Sequence, residues 1–60
     1  MGRFEVYVDA SGKHRWRLKA SNGQVIATSG QGYASERSCR DGIESVKKNA
    51  PAAEVVEVER

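Results

Sequence analysis

The chain of 60 residues is short of most things that let a protein work alone. It has one cysteine, one histidine, one proline, four aromatic side chains (Phe4, Tyr7, Trp16 and Tyr33) and a net charge of only +2. One cysteine excludes an intramolecular disulfide framework. One histidine and one cysteine fall short of the three or four ligands that a metal site takes, so no metal or other cofactor is expected. No run approaches the roughly 18 apolar residues of a membrane span, and the first residues hold no apolar signal-peptide core. No membrane partner is therefore expected, and a lone thiol fits a reducing compartment, which makes the cytoplasm the expected location. The length excludes a second core. It also leaves little scaffold around a catalytic constellation, and nothing orients Asp9 or Asp41 towards His14, so no enzyme activity is expected. Gly30-Gln31-Gly32 lacks both the lysine of a phosphate loop and the spacing of a dinucleotide fingerprint.

What the chain does have is legible patterning. Phe4, Val6 and Val8 alternate with Arg3, Glu5 and Tyr7, predicting a strand over about 3–9. His14, Trp16, Leu18 and Ala20 alternate with Lys13, Arg15, Arg17 and Lys19, predicting a second over about 13–21. A third is expected over 24–28. Two turns join them. A three-residue loop at Ala10–Gly12, with Gly12 left-handed, pairs Val8 with His14, Val6 with Trp16 and Phe4 with Leu18. A two-residue loop at Asn22-Gly23 pairs Ala20 with Val25 and Leu18 with Ala27. Both registers put the apolar residues on one face, and a one-residue slip would invert them.

Ser35 is a good N-cap, and Cys39, Ile43, Val46 and Ala50 share one helical face, predicting a helix over about 36–49 that Pro51 stops. Glu36–Arg40, Arg37–Asp41 and Glu44–Lys48 are opposite charges four apart. Residues 54–59 alternate again and predict a fourth strand. The order β-β-β-α-β makes an α+β domain, an antiparallel meander with one helix on one face. Cores of this size rarely supply more than about 3–5 kcal/mol, and metals and disulfides are missing, so oligomerisation is the remaining device. The last strand, tethered through Ala50–Ala53, is within reach of a neighbouring copy, and exchange of an end strand is a low-cost route to a dimer.

The hairpin Gly12-Lys13-His14-Arg15-Trp16-Arg17-Leu18-Lys19-Ala20 with Asn22-Gly23-Gln24-Val25-Ile26, followed by Gly32-Tyr33 and by Gly42-Ile43-Glu44-Ser45-Val46-Lys47-Lys48-Asn49-Ala50, resembles the YegP-like family. This is a bacterial and archaeal domain with no established activity, and the resemblance covers about residues 3–58. It implies β-β-β-α-β units that assemble in pairs into one continuous sheet with exchanged C-terminal strands, as tandem copies in longer members and as homodimers in single-copy chains. His14 stands where the family pattern suggests tyrosine or phenylalanine, and Glu36 where it suggests lysine.

Two sets of residues are candidates for function. Lys13, Arg15, Arg17 and Lys19 share the outer face of the second strand with Tyr7, an arrangement that suits single-stranded nucleic acid. The same register opposes Asp9 to Lys13 and Glu5 to Arg17 and sets Tyr7 beside Arg15, which describes a self-neutralised solvated face and is the reading favoured here. Gly42 and Ser45, in a stripe of small residues on the helix, and Val55, Val56 and Val58 in the last strand are expected at a dimer contact. Cys39 is expected as a buried small hydrophobe and Tyr33 as a ring packed back on the helix. The expected function is that of a homodimeric domain with a structural or interaction role and no catalysis. The alternatives are a nucleic-acid-binding module on the basic face and small-molecule binding in the dimer cleft.

Overall fold

The computed structural model describes residues 1–59. Three strands, β1 (Arg3–Val8), β2 (His14–Lys19) and β3 (Val25–Thr28), form an antiparallel sheet in the order β1-β2-β3, and one helix, α1 (Glu36–Asn49), follows. The β1–β2 register is the expected one throughout, from Phe4 opposite Leu18 to Val8 opposite His14. Gly12 takes the left-handed φ of +82°, and Asp9 Oδ1 accepts from the backbone N–H of Ser11 and Lys13, holding the turn from inside.

The second hairpin departs from expectation. Only Gly23 takes positive φ (+89°), so the connection is a three-residue loop that closes Ala20 N–H on Gln24 O at 2.8 Å, matching the first turn, instead of a two-residue loop. Val25 therefore lies opposite Lys19, on the outer face, and not opposite Ala20. A bulge between Leu18 and Lys19 then restores the expected pairing of Leu18 with Ala27. The bulge has a cause. Ser29 N–H donates to Trp16 O, while Trp16 N–H donates to Ser29 Oγ at 3.2 Å. Between these two fixed ends, Gln24 to Ser29 is one residue longer than Trp16 to Ala20, and Ile26 is the residue left over.

Past Ser29 the chain loops out and returns at Tyr33, which exchanges two 2.8 Å hydrogen bonds with His14. Ser35 caps α1 by accepting from Ser38 N–H, with Glu36 in the first turn and Lys47 and Lys48 in the last. Glu36 pairs with Arg40 as expected, whereas Glu44 reaches Lys47 and not Lys48, and Arg37 and Asp41 form no ion pair among the described residues. Pro51 does not end the helix abruptly. It sits in a short 3-10 turn, Ala50–Ala52, that continues it.

The helix packs on β1 and β2 and makes no contact with β3. Its apolar face brings Cys39 and Ile43 onto Trp16, ringed by Phe4, Val6, Leu18, Tyr33 and Val46. Trp16, Cys39 and Ile43 are the buried apolar residues, and every residue of β3 is exposed. Residues 54–59 form no strand within the chain, so the sheet has three strands where four were expected. Their alternation makes a strand only if another edge supplies the hydrogen bonds.

Candidate interaction sites

The outer sheet face collects every residue of the predicted basic row. Arg3, Lys13, Arg15, Arg17 and Lys19 stand there with Glu5, Asp9 and Tyr7, because alternate residues of paired strands share a face. Arg15 Nε donates to Asp9 Oδ2 at 2.5 Å. Glu5 is shared by three cations, Arg17 at 2.8 Å, Arg3 at 3.1 Å and Lys19 at 3.4 Å. The Arg17 hydrogen bond is the main cause holding the Glu5 carboxyl below its usual range, and the Arg15 hydrogen bond does the same for Asp9. Tyr7 was expected to take Arg15 as its cation partner. Arg15 turns instead to Asp9, and the Arg17 guanidinium lies over the Tyr7 ring, 4.8 Å from its centre. The pairing is real but incomplete: five cations face two carboxylates. Gly32 belongs to this face too, since a Cβ there would stand 2.6 Å from Lys13 Cβ.

The second site lies on the other side of β1. Its outer edge is unpaired among the described residues, and beside it runs a groove of about 630 Å³ between strand and helix. Phe4, Val6, Leu18 and Ile43 give it an apolar floor, and Arg3, Arg40 and Lys47 with Glu44 make a mainly cationic rim. Val8, further along β1, is 58% exposed. The C-terminal segment presents the opposite character. Val55, Val56 and Val58 are 101, 68 and 80% exposed, between Glu54, Glu57 and Glu59.

Gly42 has a reason that needs no second chain. A Cβ on it would collide with Tyr33 Oη and stand 3.0 Å from Tyr33 Cζ, so the ring of the same chain fills the notch that glycine leaves. Ser45 is exposed, and Asn49 Nδ2 donates to its carbonyl at 2.8 Å. Cys39 is fully buried and desolvation pushes its thiol pKa up, against the low pKa that a reactive thiol needs. Among the described residues no cluster of ligating side chains is placed to hold a metal ion, and no helix is long and apolar enough to cross a membrane. Sequence reasoning missed two things. Ser29, 6% exposed, supplies with its side chain the acceptor that the end of β3 no longer provides, and only its place after a strand hinted at it. The cationic rim came from Arg40 and Lys47, which the helical pattern marked merely as wet.

Comparison with known proteins agrees with this fold. Residues 9–57 match the model of a domain of unknown function, DUF1508. A UPF0339 protein of Methanosarcina acetivorans is 58% identical over 59 residues, covering 98% of this chain and all of its own. The solution NMR structure of a protein from Haloferax volcanii superposes with a TM-score of 0.88 at 56% identity, over 95% of both chains. The UPF0339 protein YegP of Yersinia pestis is 41% identical over 51 residues, 85% of this chain but only 45% of its own length. The chain therefore belongs to the DUF1508 family, the group of UPF0339 proteins that includes YegP.

Proposed function

We propose that the chain acts as one half of a homodimeric interaction module, in which residues 54–59 of each copy add as a strand to the open edge of β1 in the other. The observation that carries this is the mismatch within one chain: an exposed, alternating segment without a ladder partner, and an unpaired strand edge flanked by an apolar groove. Chemistry matches on both sides. Val56 and Val58 suit the floor of Phe4, Val6, Leu18 and Ile43, and Glu54, on the same side of the strand, suits the cationic rim of Arg40 and Lys47, while Glu57 and Glu59 face the outer side towards Arg3. Val55 falls on the other side of the added strand, and Ser45, expected at the dimer contact, does not line the groove. The core is correspondingly small in the single chain, and the indole N–H of Trp16 is buried without an acceptor there. YegP, of which this chain spans less than half, has the length for two such units in one polypeptide. No catalytic step is part of this reading. The role is that of a binding scaffold in the cytoplasm.

Light scattering after size exclusion tests it. The full chain at micromolar concentration should have twice the mass of one copy. Val56→Asp with Val58→Asp should give the mass of a single copy and weaken thermal stability. A wild-type mass of one copy at that concentration refutes the dimer. A dimer that survives the double substitution refutes the assigned segment.

A further inference from the structure

The excess charge of the sheet face has a location and a spacing. Five cations stand against two carboxylates, while the compensating acid, Glu54, Glu57 and Glu59, lies in the exposed C-terminal segment. Along β2 and the residue before it, Lys13, Arg15, Arg17 and Lys19 recur every second position, about 6.8 Å apart in an antiparallel strand, a row of about 20 Å. That interval matches successive phosphates of an extended single strand. It is too long for inorganic polyphosphate, whose phosphorus atoms are one bridging oxygen apart. Double helices place their phosphates on a curved surface that a short, nearly flat row meets only in part.

The face also offers a platform for a base. Arg17 lies on the Tyr7 ring, and its own side chain is 40% exposed, so the guanidinium presents a second flat surface outward. Bases stack on arginine planes as well as on aromatic rings. Glu5 holds the Arg17 Nε at 2.8 Å and keeps that plane in position. Arg15, fixed by Asp9, and Lys19 flank it along the row, and Lys13, which forms no ion pair among the described residues, lies beyond Arg15. We infer that this face is a binding surface for single-stranded nucleic acid, with Lys13, Arg15 and Lys19 on phosphates and a base stacked on the Arg17–Tyr7 pair. A strand added beyond β1 would bring Glu57 and Glu59 to about 10 Å from the β2 row. That is about one Debye length at physiological ionic strength, and the row keeps most of its field.

Fluorescence anisotropy of labelled oligo(dT) and oligo(U) at low salt tests the assignment on the full chain. With about three phosphates neutralised, log K should fall with log salt at a slope of about −2. Lys13→Gln with Lys19→Gln should weaken binding by about tenfold at low salt. Arg37→Gln with Lys48→Gln removes the same charge from the helix and should leave affinity unchanged. Arg17→Lys keeps the charge and removes the plane. It should weaken the base-bearing oligonucleotide by about fivefold or more and leave an abasic one unaffected. Circular dichroism matching the wild type certifies each variant. Absence of binding at low salt overturns the inference, and so does an equal loss in the helix variant. Polyglutamate or polyphosphate competing as well as oligo(dT) overturns it in favour of a general polyanion surface.

Discussion

Replacing Gly42 by alanine sets two effects of known sign against each other. In a helix interior, alanine is favoured over glycine by about 1 kcal/mol. At this position the new methyl would collide with Tyr33 Oη and stand 3.0 Å from Cζ. The ring has little room to retreat, because the Tyr33 backbone is tied to His14 by two 2.8 Å hydrogen bonds and its ring borders the core. Overpacking of this kind costs about 1–3 kcal/mol. The clash should win, leaving Gly42→Ala about 1 kcal/mol less stable and its midpoint about 4–8 °C lower. Thermal unfolding followed at 222 nm reads this, at one fixed protein concentration because association shifts the midpoint by mass action. The decisive background is Tyr33→Leu, which empties the notch. There Gly42→Ala should raise the midpoint, since only the helix preference remains. If Gly42→Ala is stabilising with Tyr33 in place, the account of this glycine is wrong.

Two further outcomes follow from the hydrogen-bond pattern. Ser29→Ala leaves the Trp16 N–H without its acceptor in a buried place, and should cost about 1–3 kcal/mol in urea unfolding, whereas Ser29→Thr should retain most of the stability. Glu5 and Asp9 have pKa values lowered in the fold, so their contribution is complete above the ordinary carboxylate range of about 4 and is lost as pH falls below it. The thermal midpoint should drop through that window, and Glu5→Gln with Asp9→Asn should flatten the drop.

Much of the fold was legible because two independent signals agreed wherever they were both present. For β1–β2, the alternation of Phe4, Val6 and Val8 and the left-handed Gly12 specify the same register, and that register is found. For α1, the Ser35 cap and the Cys39–Ile43–Val46 face agree. The second hairpin was read wrongly at its tip, since Asn22-Gly23 serves a two-residue or a three-residue loop equally well. The choice is made at the far end, by Ser29 and Trp16, which no local pattern reveals. Of the candidate sites, the basic face was readable residue by residue from period two. Its detail was not: Arg15 and Arg17 are both held by carboxylates, Asp9 and Glu5, and period two does not say which of the two also covers Tyr7. The groove was hidden because its floor and its rim both combine residues of α1 with residues of the strands, which meet only in the folded chain. The alternation of residues 54–59 announced a strand, but the hydrogen bonds that define one have to come from elsewhere.

The leftover residue at Ile26 leaves independent two places that look tied together. The loop at Ser21–Gly23 is one residue longer than the tightest hairpin connection, and the bulge lies between it and the pairing of Ala27 with Leu18. A bulge carries one residue that pairs with nothing, so removing Ile26 alone would make Lys19–Val25 and Leu18–Ala27 consecutive pairs, with Ala27 still inward. Removing one loop residue alone would leave a two-residue connection on the same closing pair, Ala20 and Gln24. Over evolutionary time, single insertions and deletions should therefore be accepted at either place, and what selection preserves is the pairing fixed at Ser29 and Trp16.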